Sequence, residues 1–139
     1  PELVDRETYL FYGDKAWEFL DPRLLYSLDS IWEMVNRTKR RRVFVNNWFW
    51  GGNRQWSGFR STTCILGANN SPHRRGQAYD FIVEGLHAHE VRDRIISYQF
   101  CEGFQYITRM EHLKNGVPIS WVHIDCVNIE SDGIYLFNV

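Results

Sequence analysis

Cysteine is scarce in this 139-residue chain. Only Cys64, Cys101 and Cys126 are present, and no two form a CxxC pair. An odd count without that spacing argues against a disulfide framework and against a thiolate zinc site. Free thiols fit a reducing compartment, although one disulfide plus one free thiol stays compatible. Charge of one sign is also missing: 16 Lys and Arg stand against 17 Asp and Glu, for a net charge of -1. No global field then draws the chain to nucleic acid or to an anionic membrane. No apolar run approaches the roughly 18 residues that a membrane span needs. PELVDRETYL lacks the basic start and apolar core of a signal peptide. Repeats and low-complexity linkers are absent too, so residues 1–139 read as a single domain, expected to be a monomer.

What the chain does have is apolar and aromatic mass. Hydrophobic residues make up 44% and aromatic residues 16%, enough for a folded core. DPRLLYSLDSIWEMVNR begins with Asp21 as N-cap and Pro22 at the first helical position. Leu24, Leu25, Leu28, Ile31, Trp32 and Val35 follow at helical spacing. The basic run Lys39–Arg42 reads as cations complementing that helix's C-terminal dipole, not as a nucleic-acid patch. RRVFVNNWFW reads as a strand, GGNRQWSGFRSTTC and NNSPHRRG as loops, and QAYDFIVEG as a strand closed by Gly85. HAHEVRDRIISYQ fits a second helix. In FQYITRMEHLKNGVPISWVHIDCVN, Asn115-Gly116 is a strong hairpin signal. GIYLFNV is a short apolar end segment, read as a last strand. The expected class is α+β with a mainly antiparallel sheet and flanking helices.

The chemistry sits in SPHRRGQAYDF and SWVHID. His73 in a loop, Asp80 on the next strand and His123 in the hairpin are nitrogen and oxygen donors suited to a borderline metal such as zinc. Three protein ligands with one open position describe a catalytic zinc site rather than a closed structural one. Taken singly, each has a plainer role: a surface His, a turn Asp, a hydrogen-bonded core His. His87 and His89 in GLHAHE also tempt a metal assignment. They fall at a helix start, where i and i+2 do not face each other, and read as surface residues. The rings of Trp48, Phe49, Trp50 and Trp56 line a groove or serve as packing.

Together the two segments resemble the SxHxxGxAxD…HxD signature of zinc peptidases that cut bacterial cell walls. These are the D-alanyl-D-alanine carboxypeptidases and dipeptidases and the phage endolysins that cut L-alanyl-D-glutamate bonds, and they share a fold with the hedgehog signalling domain. SGFRSTTCILGANN resembles the segment that precedes the histidine in this family, so the likeness runs from about Leu24 to Val127. It implies that His73, Asp80 and His123 are zinc ligands and that Ser71 helps hold substrate. It implies that Arg60 lines the site and binds a carboxylate or oxyanion, and that Gly76 and Ala78 allow close packing under the metal. The implied reaction is hydrolysis of peptidoglycan stem peptides by metal-activated water. The implied setting is phage-type: cytoplasmic until release, or carried by the phage, and acting at the wall.

The chain departs from the family at the general base. The family's acid three residues before the last zinc His is Ser120 here, and its alternative His is Trp121. Asp125, two after His123, shares its face by strand alternation. With a plain two-residue turn at 115–116, His112 pairs with Ile119 and also shares that face. Glu111 then faces away unless a bulge re-aims it. The candidate catalytic residues are therefore Asp125 and His112, with Arg60, and Glu111 behind them. Asp125 can instead orient His123. The alternative to an enzyme is a non-catalytic, zinc-stabilised peptide- or wall-binding module of hedgehog-like type, kept open by Ser120.

Overall fold

Asp21 starts the long helix as the sequence implies. Its carboxylate accepts from the Arg23 N–H at 3.0 Å, and Pro22 occupies the first turn. The structure is a computed structural model and describes residues 1–67 and 69–139. Ala68, inside SGFRSTTCILGANN, lies outside the described residues. Three α-helices and five strands are found among them: α1 Arg6–Tyr12, α2 Pro22–Asn36, β1 Val43–Phe44, β2 Ala78–Val83, α3 Ala88–Ser97, β3 Arg109–Lys114, β4 Val117–Asp125 and β5 Tyr135–Asn138. The class is α+β, with one five-stranded sheet in the order β1-β2-β4-β3-β5. The sheet is mixed: β1–β2, β2–β4 and β3–β4 are antiparallel, whereas β5 runs parallel to β3.

One sheet face is the core. Tyr79, Phe81 and Val83 of β2, Val122 and Ile124 of β4 and Met110 of β3 pack with Leu24, Ile31 and Val35 of α2 and with Val91 and Ile95 of α3. Trp32, expected on the buried stripe of α2, is instead half exposed. None of the helices is long and apolar enough to cross a membrane among the described residues. All three cysteines are free.

Two local expectations are overturned. RRVFVNNWFW is a strand only at Val43–Phe44, and Trp48–Trp50 is a 3₁₀ turn ending at Gly51. The reason is side-chain competition with the ladder. Asn46 Oδ1 accepts from the Ser57 N–H and its amide donates to the Val4 carbonyl, while Asn47 Oδ1 accepts from the Arg54 N–H. The basic run lies beyond the C-cap Arg37, so the helix dipole does not explain it. Arg42 pairs with Glu84 instead. The N-terminal helix α1 is an addition to the expected elements, although Asp5 caps it through the Thr8 N–H at 2.9 Å with Glu7 in the first turn.

The hairpin turn forms as its sequence implies. Asn115 and Gly116 have φ of 51° and 76°, as a type I′ turn requires, and Lys114 pairs with Val117. Beyond Leu113–Pro118 the ladder breaks, and it resumes at Glu111–His123. That break decides the geometry of the site.

Candidate metal centre

The sheet face opposite the core carries two cross-strand rows of unusual polarity. Asp80 of β2 pairs with His123 of β4, His123 with Glu111 of β3, and Glu111 with Phe137 of β5. Two residues along, Asp125 of β4 lies between Ala78 of β2 and Arg109 of β3. His73 reaches the first row from the 3₁₀ turn Pro72–Arg75, which enters β2 through Gly76. Gly76 has φ of 67°, and a Cβ there would collide with the Phe19 carbonyl oxygen. A glycine is needed on both counts.

His73, Asp80 and His123 bring ligating atoms within 4.8 Å of one another. Asp80 is the hub. Its Oδ1 lies 2.7 Å from His123 Nδ1 and its Oδ2 lies 3.4 Å from His73 Nε2. The far ring nitrogens are engaged elsewhere. His73 Nδ1 is 2.9 Å from the Gly58 carbonyl, to which only its N–H can bond, and His123 Nε2 is 3.3 Å from Asp125 Oδ2. Arg109 grips Asp125 with Nε at 2.9 Å and Nη2 at 2.8 Å. Supporting partners of this kind fix the tautomer and orientation of metal-binding histidines. The donor set, two imidazoles and one carboxylate held from behind, can hold a metal ion and leaves a side open to the cleft.

Arg60 is partly buried beside the hub. Its Nη2 donates to Asp80 Oδ2 at 3.0 Å and its Nε to the Trp56 carbonyl. It supports the ligand carboxylate before it can serve any substrate. Its position is tied to the N-terminal segment, because the Ser61 N–H donates to Asp5 and the Phe59 N–H to the Leu3 carbonyl.

Charge is strongly redistributed. Burial pulls the His73 imidazole below its usual range, with Asp80 only partly offsetting this. For His123, burial also opposes the charged form, but the hydrogen bonds to Asp125 and Asp80 outweigh it and push the ring up to about 9. Burial acts to raise Asp80, yet hydrogen bonds from His123 and His73 hold it well below the usual carboxylate range. Asp125 is lowered in the same way by His123 and Arg109. Glu111 moves up instead, through burial first and then the charge of Asp80.

The cleft over these residues has a volume of about 380 Å³ and is lined also by Ser71, Arg60, Lys114, Trp121 and Phe137. Two other clefts are of similar size, about 400 and 430 Å³, but neither contains a histidine or cysteine. Chemistry rather than size selects this one. Ser71, Arg60 and the three ligand candidates meet here, whereas Asp125 lies fully buried beneath as support for His123. His112 is exposed and does not share the face, and Glu111 takes the place that a plain hairpin would have given it. Trp56 lines a separate cleft with Leu10 and Phe11, so Trp121 and Phe137 are the rings of this one. His87 and His89 are exposed as expected, but their rings stack on each other at 5.7 Å, contrary to the expectation that i and i+2 do not face each other, because His87 is the N-cap with extended backbone and not yet helical.

Sequence reasoning missed Arg109, Lys114 and Phe137. Arg109 shares the face of Glu111 by alternation, a signal usable only once that face is known. Phe137 sits edge-on to His123 at 5.6 Å and under the Arg109 guanidinium at 5.1 Å. Nothing in GIYLFNV announces which strand it will join. No family model, curated protein or solved structure matches this chain.

Proposed function

We propose that this protein is a zinc-dependent peptidase of hedgehog/DD-peptidase-like fold that hydrolyses peptide bonds in peptidoglycan stem peptides. The bond is of the D-Ala-D-Ala carboxypeptidase or the L-Ala-D-Glu endopeptidase type. The observation that carries this reading is the convergence of His73, Asp80 and His123 at an open cleft, with the Glu111 carboxylate paired directly across from His123. The motif resemblance supplies the substrate class. His73, Asp80 and His123 would hold the ion. When bound, zinc supplies Lewis acidity, polarising the scissile carbonyl and acidifying water.

The chain's own groups supply the rest. Glu111 is mostly buried, and burial raises its proton affinity above that of an ordinary carboxylate. It accepts a proton from the attacking water and delivers it to the leaving nitrogen. Asp125, held by Arg109, keeps the His123 ring in one orientation. Lys114, exposed at the cleft, offers a cation to a peptide carboxylate. Trp121 and Phe137 wall the cleft. Glu111 favours this reading over the binding module, because it provides the carboxylate that Ser120 cannot.

The deciding experiment is digestion of purified muropeptides with and without a chelator, read by mass spectrometry. Chelator-sensitive loss of one stem-peptide bond is expected. No cleavage by fully zinc-loaded protein would leave the binding module as the better account.

A further inference from the structure

The ladder between β3 and β4 contains a surplus that the hairpin turn does not predict. From Leu113–Pro118 to Glu111–His123, β3 advances two residues while β4 advances five. The difference, three residues, is odd. Side chains alternate faces along a strand, so an odd surplus exchanges the face of everything beyond it. With an unbroken ladder from the 115–116 turn, His112 would share the face of His123 and Glu111 would point away. With the surplus, Glu111 lies opposite His123 and His112 is exposed.

A surplus of this kind leaves strand carbonyls without ladder partners, and buried carbonyls need donors. The donor here comes from α3. Arg92 is only 3% exposed, yet it makes no salt bridge among the described residues. Its Nη1 donates to the Trp121 carbonyl at 3.0 Å, and its Nη2 points to the Ile119 carbonyl at 3.5 Å. Both carbonyls belong to the surplus segment. A guanidinium spans two acceptors with a rigid planar fork, which an ammonium cannot do. α3 is anchored by Val91 and Ile95 on either side of Arg92, so the fork is presented from the core.

We propose that Arg92 is a positioning residue: by holding the Ile119–Trp121 segment of β4 out of the plain ladder, it sets the face on which Glu111 meets the metal site. Its structural consequence stands alone. Its kinetic consequence rests on the hydrolase reading above.

The test uses the full chain, loaded with zinc, as wild type, Arg92→Met and Arg92→Lys. Cross-strand nuclear Overhauser contacts between residues 111 and 123 are expected in the wild type. They should be lost or moved toward 111–120 in the variants. Should Arg92→Met not fold, Arg92→Lys, which keeps the charge and stem, decides. Retention of the 111–123 contact in the folded variants would overturn the proposal. On a stem-peptide substrate, kcat should fall about 10²-fold with KM nearly unchanged, as for a misplaced catalytic group. Arg92→Lys should add no further loss in a Glu111→Gln background. Additive losses would mark a merely structural role and overturn the proposal. If zinc-loaded wild type cleaves nothing, the hydrolase reading fails, and the 111–123 contacts still decide the role of Arg92.

Discussion

Of the three candidates for the general base, Glu111 faces the cleft, Asp125 lies beneath it and His112 points away. Asp125 is fully buried between Arg109 and His123, so it has no route to water or substrate. It holds His123 in place. Asp125→Asn should weaken zinc binding about 10- to 100-fold, measured by competition with a chromogenic chelator. Glu111→Gln should keep full zinc content and lower kcat by about 10² to 10⁴-fold on the cleaved muropeptide. His112→Ala should leave kcat unchanged, since the ring is exposed on the other face. Loss of turnover in His112→Ala with Glu111→Gln unaffected would return the base to the histidine. Alternation within β4 placed Asp125 on the face of His123, as the structure does, but the directions of Glu111 and His112 were not legible, because they follow from the register between β3 and β4.

At the scale of elements, the turn Pro72–Arg75 holds the site to α2. The Asp21 N–H donates to the Gly76 carbonyl at 3.0 Å, tying the start of α2 to the turn that carries His73. Gly76→Ala would drive a Cβ into the Phe19 backbone, where no side chain can yield. It should destabilise by at least about 2 kcal/mol in urea denaturation. Asp21→Ala removes the cap of α2 and should cost about 1 kcal/mol at pH 7. The Arg23 hydrogen bond lowers Asp21 from 3.8 to about 2. A depressed carboxylate stabilises the fold above its unfolded value and loses that contribution as pH falls through the folded one. The Asp21→Ala deficit should therefore persist at pH 5 and be largely lost near pH 2, a difference that thermal melts at the two pH values would read. The cap, the Asn-Gly turn and the helical stripe were all readable locally. The short β1 was not, because Asn46 takes partners 42 and 11 residues away, at Val4 and Ser57.

For the whole molecule, an ion at this site would join three segments that are separate in sequence: the 3₁₀ turn, β2 and β4. Anything that binds only the folded state stabilises it, by about 2.7 kcal/mol at a hundredfold excess over Kd. Chelation should therefore lower Tm by about 5–10 °C in scanning calorimetry. The gap should widen with pH. In chelated protein the raised His123 contributes stability that is full below 6.5 and lost as pH rises through about 9. A metal ion bound at this site would compete with that proton, so its own contribution would grow over the same window. A Tm gap that shrinks between pH 6.5 and 9 would contradict this charge arrangement.

Residue types and local turns were determined by the sequence itself. The Asp21-Pro22 start and the Asn115-Gly116 turn depend on contacts within a few residues and were legible there; His73, Asp80 and His123 were legible as donor types in their motif, and the α+β class in the order of elements. Tertiary structure alone decided that β5 joins β3 in parallel, that Arg109 grips Asp125, and that Glu111 rather than His112 meets His123. Each of these depends on which strand supplies a partner for a backbone or side-chain group on another element. The surplus in β4 shows why: local pattern specifies alternation, but the phase of that alternation is set only when Arg92, on another element, takes up the carbonyls that the ladder leaves behind.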